Sequence, residues 1–249
     1  MKVAGSVGLV TGAGRGLGRA YVRALLEAGA AKVYSGVRDP RATVEPGSIA
    51  VRLDITEEAE IAAAAETCRD VDLLINNAGV LHRSPFLGGG APRAARSEME
   101  TNYFGTLAMC RAFAPVLGRN GGGALVNMLS VVSWFTYPPS GTQCASKAAA
   151  HSLTNGLRIE LSAQNTLVVG VFAGFIDTDM ARGIAVPKSP ALAIARRVID
   201  GIERDEEEIL ADERSVALRE QMSRDPRAIY TDMQLLWDAS QGSGRGGGR

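Results

Sequence analysis

The sequence of 249 residues has no excess of charge of either sign and no long apolar run. Lys plus Arg equals Asp plus Glu at 27 each, so the chain lacks the positive field that binds nucleic acid or an anionic membrane. It has no stretch of about 18 consecutive apolar residues, the length that crosses a bilayer, and its N-terminus lacks the apolar core of a secretory signal. We therefore expect a soluble, cytoplasmic protein without nucleic-acid or membrane partners.

Cysteine is also scarce, and the spacing of Cys68, Cys110 and Cys144 matches neither a CxxC pair nor a set of metal ligands. An odd number of isolated thiols is typical of a reducing compartment. This pattern argues against a disulfide framework, and we expect no bound metal.

Short β-branched and leucine-rich runs alternate with alanine-rich stretches of helical period. The alternation predicts a parallel sheet covered by helices on both faces, within a single α/β domain over residues 1–236. Residues 237–249, rich in Gly, Ser and Arg, are expected to form a flexible tail because they bury little apolar surface. The predicted strands are 7–11, 32–36, 49–53, 71–76, 123–129, 166–172 and 207–211, and the predicted helices are 16–29, 57–67, 95–118, 141–163, 190–203 and 212–223.

A glycine-rich turn follows the first predicted strand in the segment VTGAGRGLGRA, where Gly12, Gly16 and Gly18 open a helix. Glycine lets a backbone approach a pyrophosphate closely, and a helix N-terminus offers unpaired N–H groups and the positive end of its dipole. The TGxxxGxG spacing resembles the nucleotide loop of the short-chain dehydrogenase/reductase family.

Further motifs extend this resemblance over about residues 5–205. RLDIT resembles the segment that holds the adenine, NNAG follows the fourth predicted strand, and AGFIDTDM resembles the PGxxxT segment that closes over the nicotinamide, with Ala173 in place of the proline. The resemblance implies a Rossmann-type fold and a dinucleotide site. Its residues would be Gly12, Arg15, Gly16, Leu17, Gly18, Arg38, Asp54, Ile55, Asn77, Ala78, Gly79, Lys147, Gly174, Ile176 and Thr178.

The end of the second predicted strand, VYSGVRDP, bears on the choice of dinucleotide. NAD-preferring members of the family usually place a carboxylate there to bond the ribose 2′-hydroxyl, whereas this sequence has Val37 followed by Arg38. Guanidinium groups of Arg38 and Arg15 suit a 2′-phosphate, which predicts NADP(H) as the cofactor. Asp39 leaves an alternative open, since a shift of the loop by two residues would bring a carboxylate to the ribose.

The catalytic residues of the family have counterparts here, with one exception. By resemblance, Asn102 would hold a water, Ser130 would stabilise the carbonyl oxygen, and Lys147 would lower the pKa of a catalytic tyrosine. Gln143 stands at the position of that tyrosine, four residues before Lys147. A primary amide can donate a hydrogen bond to an oxygen, but it is not an acid near neutral pH.

Three functions remain open because of Gln143. The first is reduction of the C=O of an apolar small molecule, with the proton coming from Lys147 through water held by Asn102, or from Tyr137 or His82. The second is reduction of a C=N bond, since an iminium arrives protonated and the Gln143 carbonyl oxygen can accept its N–H. The third is binding of NADP with little or no turnover, the tyrosine having been lost naturally or replaced deliberately.

Apolar side chains after the fifth predicted strand, which Ser130 follows, and in segment 181–189 favour an apolar substrate. The candidate pocket residues are Trp134, Tyr137, His82 and Ile184. Members of the family commonly dimerise or tetramerise through helices that correspond to 95–118 and 141–163. The small residues of CASKAAAHSL permit close helix packing, so we expect a homodimer or homotetramer.

Overall fold

The computed structural model describes residues 1–41 and 44–243, with side chains up to residue 239. The strands of this part of the chain are β1 (Val7–Thr11), β2 (Lys32–Val37), β3 (Ile49–Arg52), β4 (Leu73–Asn76), β5 (Ala124–Met128), β6 (Leu167–Phe172), β7 (Ile176–Asp177), β8 (Ser189–Pro190) and β9 (Glu208–Leu210).

Seven of these strands form one parallel sheet in the order β3-β2-β1-β4-β5-β6-β9. This order confirms the doubly wound, seven-stranded sheet predicted from the sequence. The order reverses between β1 and β4, and ligands of such sheets bind at the carboxyl ends of the strands beside this reversal. Strands β7 and β8 pair with each other in a separate small sheet.

Helices cover both faces of the sheet, and each face has its own apolar core. Leu73 and Leu74 of β4 are fully buried and belong to opposite cores, because successive side chains of a strand point to opposite faces. Burial of one such side chain contributes about 1.5–3 kcal/mol. None of the helices in the described ranges is both long and apolar enough to cross a membrane. The helices are α1 (Gly16–Glu27), α2 (Glu58–Thr67), α3 (Ala91–Met99), α4 (Thr106–Arg119), α5 (Gly141–Glu160), α6 (Ala191–Glu203), α7 (Glu213–Arg224) and α8 (Pro226–Ser243).

The helix predicted over 95–118 is interrupted in the structure. Helix α3 ends at Met99, a π-helical turn spans Glu100–Gly105, and α4 begins at Thr106. Gly105 permits close approach to the segment that follows β3, since a Cβ there would lie 2.8 Å from the Ile55 carbonyl oxygen. Such turns are rare and frequently occur at functional sites. This one carries Asn102.

The C-terminal helix α8 is absent from the helices that the sequence predicted. It includes residues 237–243, which the sequence analysis places in a flexible tail, and residues 244–249 of that tail lie outside the described part of the chain. Ile229 and Met233, spaced by about one helical turn, pack α8 onto Val131 and Phe135. This packing brings α8 beside the segment that follows β5.

Candidate active site

A cleft of about 870 Å³ opens along the carboxyl ends of the central strands. The cleft is lined by every residue that the sequence predicted for cofactor binding, from the glycine turn to Thr178. All four predicted catalytic residues line the same cleft, namely Asn102, Ser130, Gln143 and Lys147. The fold therefore brings motifs that are distant in sequence together around one cleft.

The glycine turn after β1 needs glycine for two different reasons. Gly12 and Gly16 have φ angles of +66° and +53°, a backbone conformation that side chains with a Cβ rarely adopt. Gly18 lies on α1, where a Cβ would be 2.2 Å from the Gly12 carbonyl oxygen and 2.7 Å from the Asn77 Nδ2 atom. The turn thus brings bare backbone to the edge of the cleft.

Thr11, which the sequence analysis did not single out, links the glycine turn to the NNAG segment. Its Oγ1 atom accepts hydrogen bonds from the backbone N–H groups of Asn77 and Ala78, each at 3.0 Å. The Asn77 Nδ2 group returns a bond of 2.9 Å to the Thr11 carbonyl oxygen. These three bonds fix the two walls of the cleft on either side of the strand reversal.

The start of α1 is suited to an anion. Arg15 is its N-cap residue and makes no side-chain capping bond, so N–H groups at the first turn stay available toward the cleft. Together with the Cβ-free backbone of the glycine turn, this arrangement fits the pyrophosphate of a dinucleotide. The side chains of Arg15 and Arg38 are exposed along the same cleft.

Asp39 also lines the cleft, but its carboxylate is held by Arg41. The Arg41 Nε and Nη2 atoms donate bonds of 3.0 and 3.2 Å to the two carboxylate oxygens, and the Arg41 backbone N–H adds a third of 3.0 Å. The bonded Arg41 guanidinium lowers the pKa of the Asp39 carboxyl below its ordinary value. Both carboxylate oxygens of Asp39 are thereby already engaged by Arg41.

Lys147 on α5 donates a hydrogen bond of 2.7 Å to the Met128 carbonyl oxygen at the end of β5. Burial lowers the pKa of its ammonium from 10.5 to about 8. The Ser130 hydroxyl donates a bond of 3.4 Å to the Ala173 carbonyl oxygen and accepts one from the Val132 N–H. Within the described residues the Gln143 side-chain amide makes no hydrogen bond, so its N–H and C=O groups face the cleft unpaired.

Asn102 joins three parts of the site. Its Oδ1 accepts the Val80 N–H at 2.9 Å, and its Nδ2 donates to the Val80 carbonyl oxygen at 3.0 Å and to Ser146 Oγ at 2.9 Å. These bonds tie the segment after NNAG to α5, the helix of Gln143 and Lys147. The structure thus gives Asn102 a positioning role, while its role in holding a water stays a prediction.

The other end of the cleft is mostly apolar. Tyr137 and Ile184 line it as expected, and the Tyr137 ring meets Phe175 edge-on with centroids 6.4 Å apart. Trp134 and His82 lie outside the lining. The Trp134 ring stacks on Phe172 at 4.4 Å in a small apolar cluster, and the exposed His82 ring contacts Ser97 Oγ at 2.9 Å. The sequence analysis did not identify Arg83, Phe175, Arg214 and Met233, which complete this end of the cleft.

Asp212, the N-cap residue of α7, fixes the segment that follows β6. Its Oδ2 accepts the Gly174 N–H at 2.8 Å and the Ser189 hydroxyl at 3.4 Å, while its Oδ1 accepts the Ser215 N–H at 2.7 Å. One carboxylate therefore joins the turn beside Ser130, the small β7-β8 sheet and α7.

The chain is similar in sequence to known enzymes. A model of the short chain dehydrogenase family matches residues 6–188. The chain is 30% identical to the 7alpha-hydroxysteroid dehydrogenase of Escherichia coli (strain K12) over 201 residues, which cover 76% of this chain and 78% of that protein. It is 30% identical over 193 residues to a short chain dehydrogenase of Monascus purpureus; the match covers 70% of this chain and 66%, just under two thirds, of that relative.

The fold is similar to solved structures over nearly its whole length. A crystal structure of a short chain dehydrogenase from Burkholderia cenocepacia J2315 in complex with NADP is 40% identical, with a TM-score of 0.90 over 94% of this chain and 99% of that chain. A 7α-hydroxysteroid dehydrogenase complexed with NADH and 7-oxo glycochenodeoxycholic acid is 25% identical, with a TM-score of 0.75 over 84% of this chain. The chain belongs to the short chain dehydrogenase family.

Proposed function

We propose that this protein is an NADP(H)-dependent oxidoreductase that reduces the C=O group of a small molecule, with proton delivery that does not use a tyrosine at the position of Gln143. The observation that carries the proposal is the presence of Ser130, Gln143 and Lys147 in the lining of the cleft that the glycine turn also lines. The Burkholderia cenocepacia relative in complex with NADP supports the choice of cofactor.

The residues of the cleft fit a nicotinamide dinucleotide phosphate. The glycine turn and the start of α1 would hold the pyrophosphate, while Arg15 and Arg38 would hold the 2′-phosphate. Asp54 and Ile55 would contact the adenine, and the 173–178 segment would lie beside the nicotinamide. When bound, the cofactor supplies the hydride, and the protein must position the carbonyl group and deliver a proton.

Two groups of the chain would act on the carbonyl oxygen directly. The Ser130 hydroxyl and the Gln143 amide N–H would each donate a hydrogen bond to that oxygen, which stabilises the negative charge developing on it. Lys147, with a pKa of about 8, is an ammonium acid in the neutral range and would deliver the proton through water. The Tyr137 phenol, which also lines the cleft, is a second source.

Reduction of a C=N bond is the alternative function, and the unpaired amide of Gln143 favours it. An iminium already carries its proton, and the Gln143 Oε1 atom would accept the N–H of such a substrate. This role would use the amide carbonyl oxygen, an acceptor that carries no proton of its own. Binding of NADP(H) without turnover is the third function, and it requires no role for Ser130.

The test is a panel of matched ketones and cyclic imines assayed by NADPH oxidation. Reduction of ketones with a kcat at least tenfold lower in Ser130→Ala is expected, because the variant loses a donor to the carbonyl oxygen. Ser162→Ala, an exposed serine outside the cleft, is the matched control. Turnover of imines alone would support the alternative, and NADPH binding without turnover of either class would reject both enzymatic functions.

Cofactor choice is tested at Arg38. Arg38→Gln should weaken NADPH binding by about tenfold or more and leave NADH binding nearly unchanged, because a charge-assisted bond to the 2′-phosphate contributes about 1.5–3 kcal/mol. Affinities are measured by cofactor fluorescence, with Arg111→Gln on the exposed surface of α4 as the control for charge. Equal losses for the two cofactors would contradict the assignment to NADP(H).

A further inference from the structure

Three basic side chains lie at or near the apolar end of the cleft. Arg83, Lys147 and Arg214 line this region. Of the acidic side chains of the lining, Asp39 and Asp54 follow β2 and β3, and Asp179 is engaged by Arg182 and lies 4.0 Å from Arg15. Lys147 belongs to the cofactor site, and Arg83 Nη2 donates to the carbonyl oxygens of residues 180 and 182 at 2.9 and 2.8 Å. Arg214 has neither a place in the cofactor site nor a hydrogen-bond partner of this kind.

The side chain of Arg214 is exposed at the cleft and packs on two residues of the segment after β6. Its Cδ atom lies against Gly174, where an added Cβ would be only 2.6 Å away. Its guanidinium carbon lies 5.3 Å from the centroid of the Phe175 ring. Among the described residues it forms no ion pair and no hydrogen bond, so the N–H groups at the edge of the guanidinium are free. A guanidinium that lies over an aromatic ring and keeps its N–H groups unbonded can form two parallel hydrogen bonds to a planar carboxylate.

The nearest carboxylates along the chain do not neutralise this charge by direct contact. Asp212 accepts bonds from Gly174, Ser215 and Ser189, and it forms no ion pair with Arg214. Glu213 lines a different groove together with Glu220. The positive charge of Arg214 therefore faces the cleft without an acidic partner from the described part of the protein.

Arg214 is also close to the reacting centre. The Ser130 hydroxyl bonds to the Ala173 carbonyl oxygen at 3.4 Å, and the next residue, Gly174, contacts the Arg214 side chain. Phe175, under the guanidinium, meets the Tyr137 ring edge-on. A substrate with its carbonyl group at Ser130 would extend along these rings toward Arg214.

We infer that the substrate is an oxo acid: a carbonyl compound with an apolar body and a carboxylate, which Arg214 binds through its guanidinium. This inference rests on the proposed function and specifies its substrate class. The Phe175 and Tyr137 rings contact the apolar body, and the charge at Arg214 orients the molecule with its carbonyl group toward Ser130 and Gln143. Sequence analysis predicted an apolar substrate, and Arg214 adds the requirement for one negative charge.

The test compares oxo carboxylic acids of graded length with their methyl esters. Binding to the NADPH complex is measured by calorimetry, and turnover is measured by NADPH oxidation. The wild-type protein should prefer one acid over its ester by about tenfold or more, since the ester lacks the charge. Arg214→Gln should abolish that preference by weakening the acid alone, and Arg214→Lys should retain part of it. Arg224→Gln, an exposed arginine of the same helix outside the cleft, should leave it unchanged.

The outcomes separate this inference from the proposed function. Equal binding of acids and esters by the wild-type protein, absence of binding by either, or an unchanged preference in Arg214→Gln would overturn the inference. Unchanged NADPH affinity in Arg214→Gln shows that the variant is folded. Selective binding of an acid without oxidation of NADPH would keep the carboxylate site and reject the reductase function. Turnover of esters and acids at equal kcat/KM would support the reductase function and reject the carboxylate site.

Discussion

Replacing Gln143 by tyrosine should raise the rate of ketone reduction by about 10² or more, because general-acid catalysis contributes about 10²–10⁴ in rate. The new phenol would stand four residues before Lys147, on the same face of α5, and the ammonium would lower the pKa of the phenol toward neutrality. NADPH affinity should change little, since the glycine turn and Lys147 are retained. Steady-state assays of kcat and KM on one ketone provide the measurement.

Gln143→Phe is the matched control, because it adds the ring without the acidic hydroxyl. An equal gain in Gln143→Phe would mean that the ring, and not proton transfer, causes the effect.

The pH profile is a second readout. The wild-type rate should decline as pH rises through about 8, where Lys147 loses the proton that it must donate. The tyrosine variant should show an additional ionisation. A native imine reaction that is unchanged or impaired by tyrosine would instead support the C=N alternative.

Gly18→Ala should both destabilise the protein and weaken cofactor binding. The added Cβ would lie 2.2 Å from the Gly12 carbonyl oxygen, so the start of α1 and the glycine turn must move apart. Overpacking of this kind costs about 1–3 kcal/mol, and we expect a thermal midpoint lower by roughly 5 °C. The displaced N–H groups should weaken NADPH binding by about tenfold or more. Thermal unfolding without cofactor and NADPH titration measure the two effects separately.

Gly14→Ala is the control within the same turn. Gly14 has no positive φ angle, and a Cβ there would meet the Val37 Cγ1 atom at 3.4 Å, an ordinary contact. This variant should keep its thermal midpoint within a few degrees and bind NADPH nearly as well. Similar losses at both glycines would show that the turn is sensitive to any side chain, and that close packing of α1 against Gly12 is not the cause.

The sheet and the cofactor half of the cleft could be predicted because local sequence determines them. Buried parallel strands are continuous apolar runs, and the turns after β1 and β4 carry glycine and asparagine in fixed spacing. The π-helical turn at Glu100–Gly105 has no comparable sequence pattern. Its residues contact distant loops, through Asn102 to Val80 and through Gly105 to Ile55, and local sequence does not reveal such contacts.

The apolar end of the cleft was harder to predict because tertiary packing decides which side chains face it. Trp134 and Tyr137 lie three residues apart in one aromatic segment, yet Trp134 stacks on Phe172 and Tyr137 lines the cleft. Arg214 follows β9, and its approach to Gly174 depends on the parallel pairing of β6 with β9. Helix α8 was not predicted, although apolar residues at helical spacing precede the Gly-rich end.

Two side chains at the apolar end of the cleft, those of Arg214 and Met233, come from the C-terminal part of the chain. The family model ends at residue 188, whereas α7 and α8, which carry these two side chains and Asp212, come after it. Residues of the matched segment therefore line both ends of the cleft, and α7 and α8 add two side chains to the apolar end alone. Substitutions in these two helices would change the apolar end without altering the glycine turn, provided that the bond from the Gly174 N–H to Asp212 is kept.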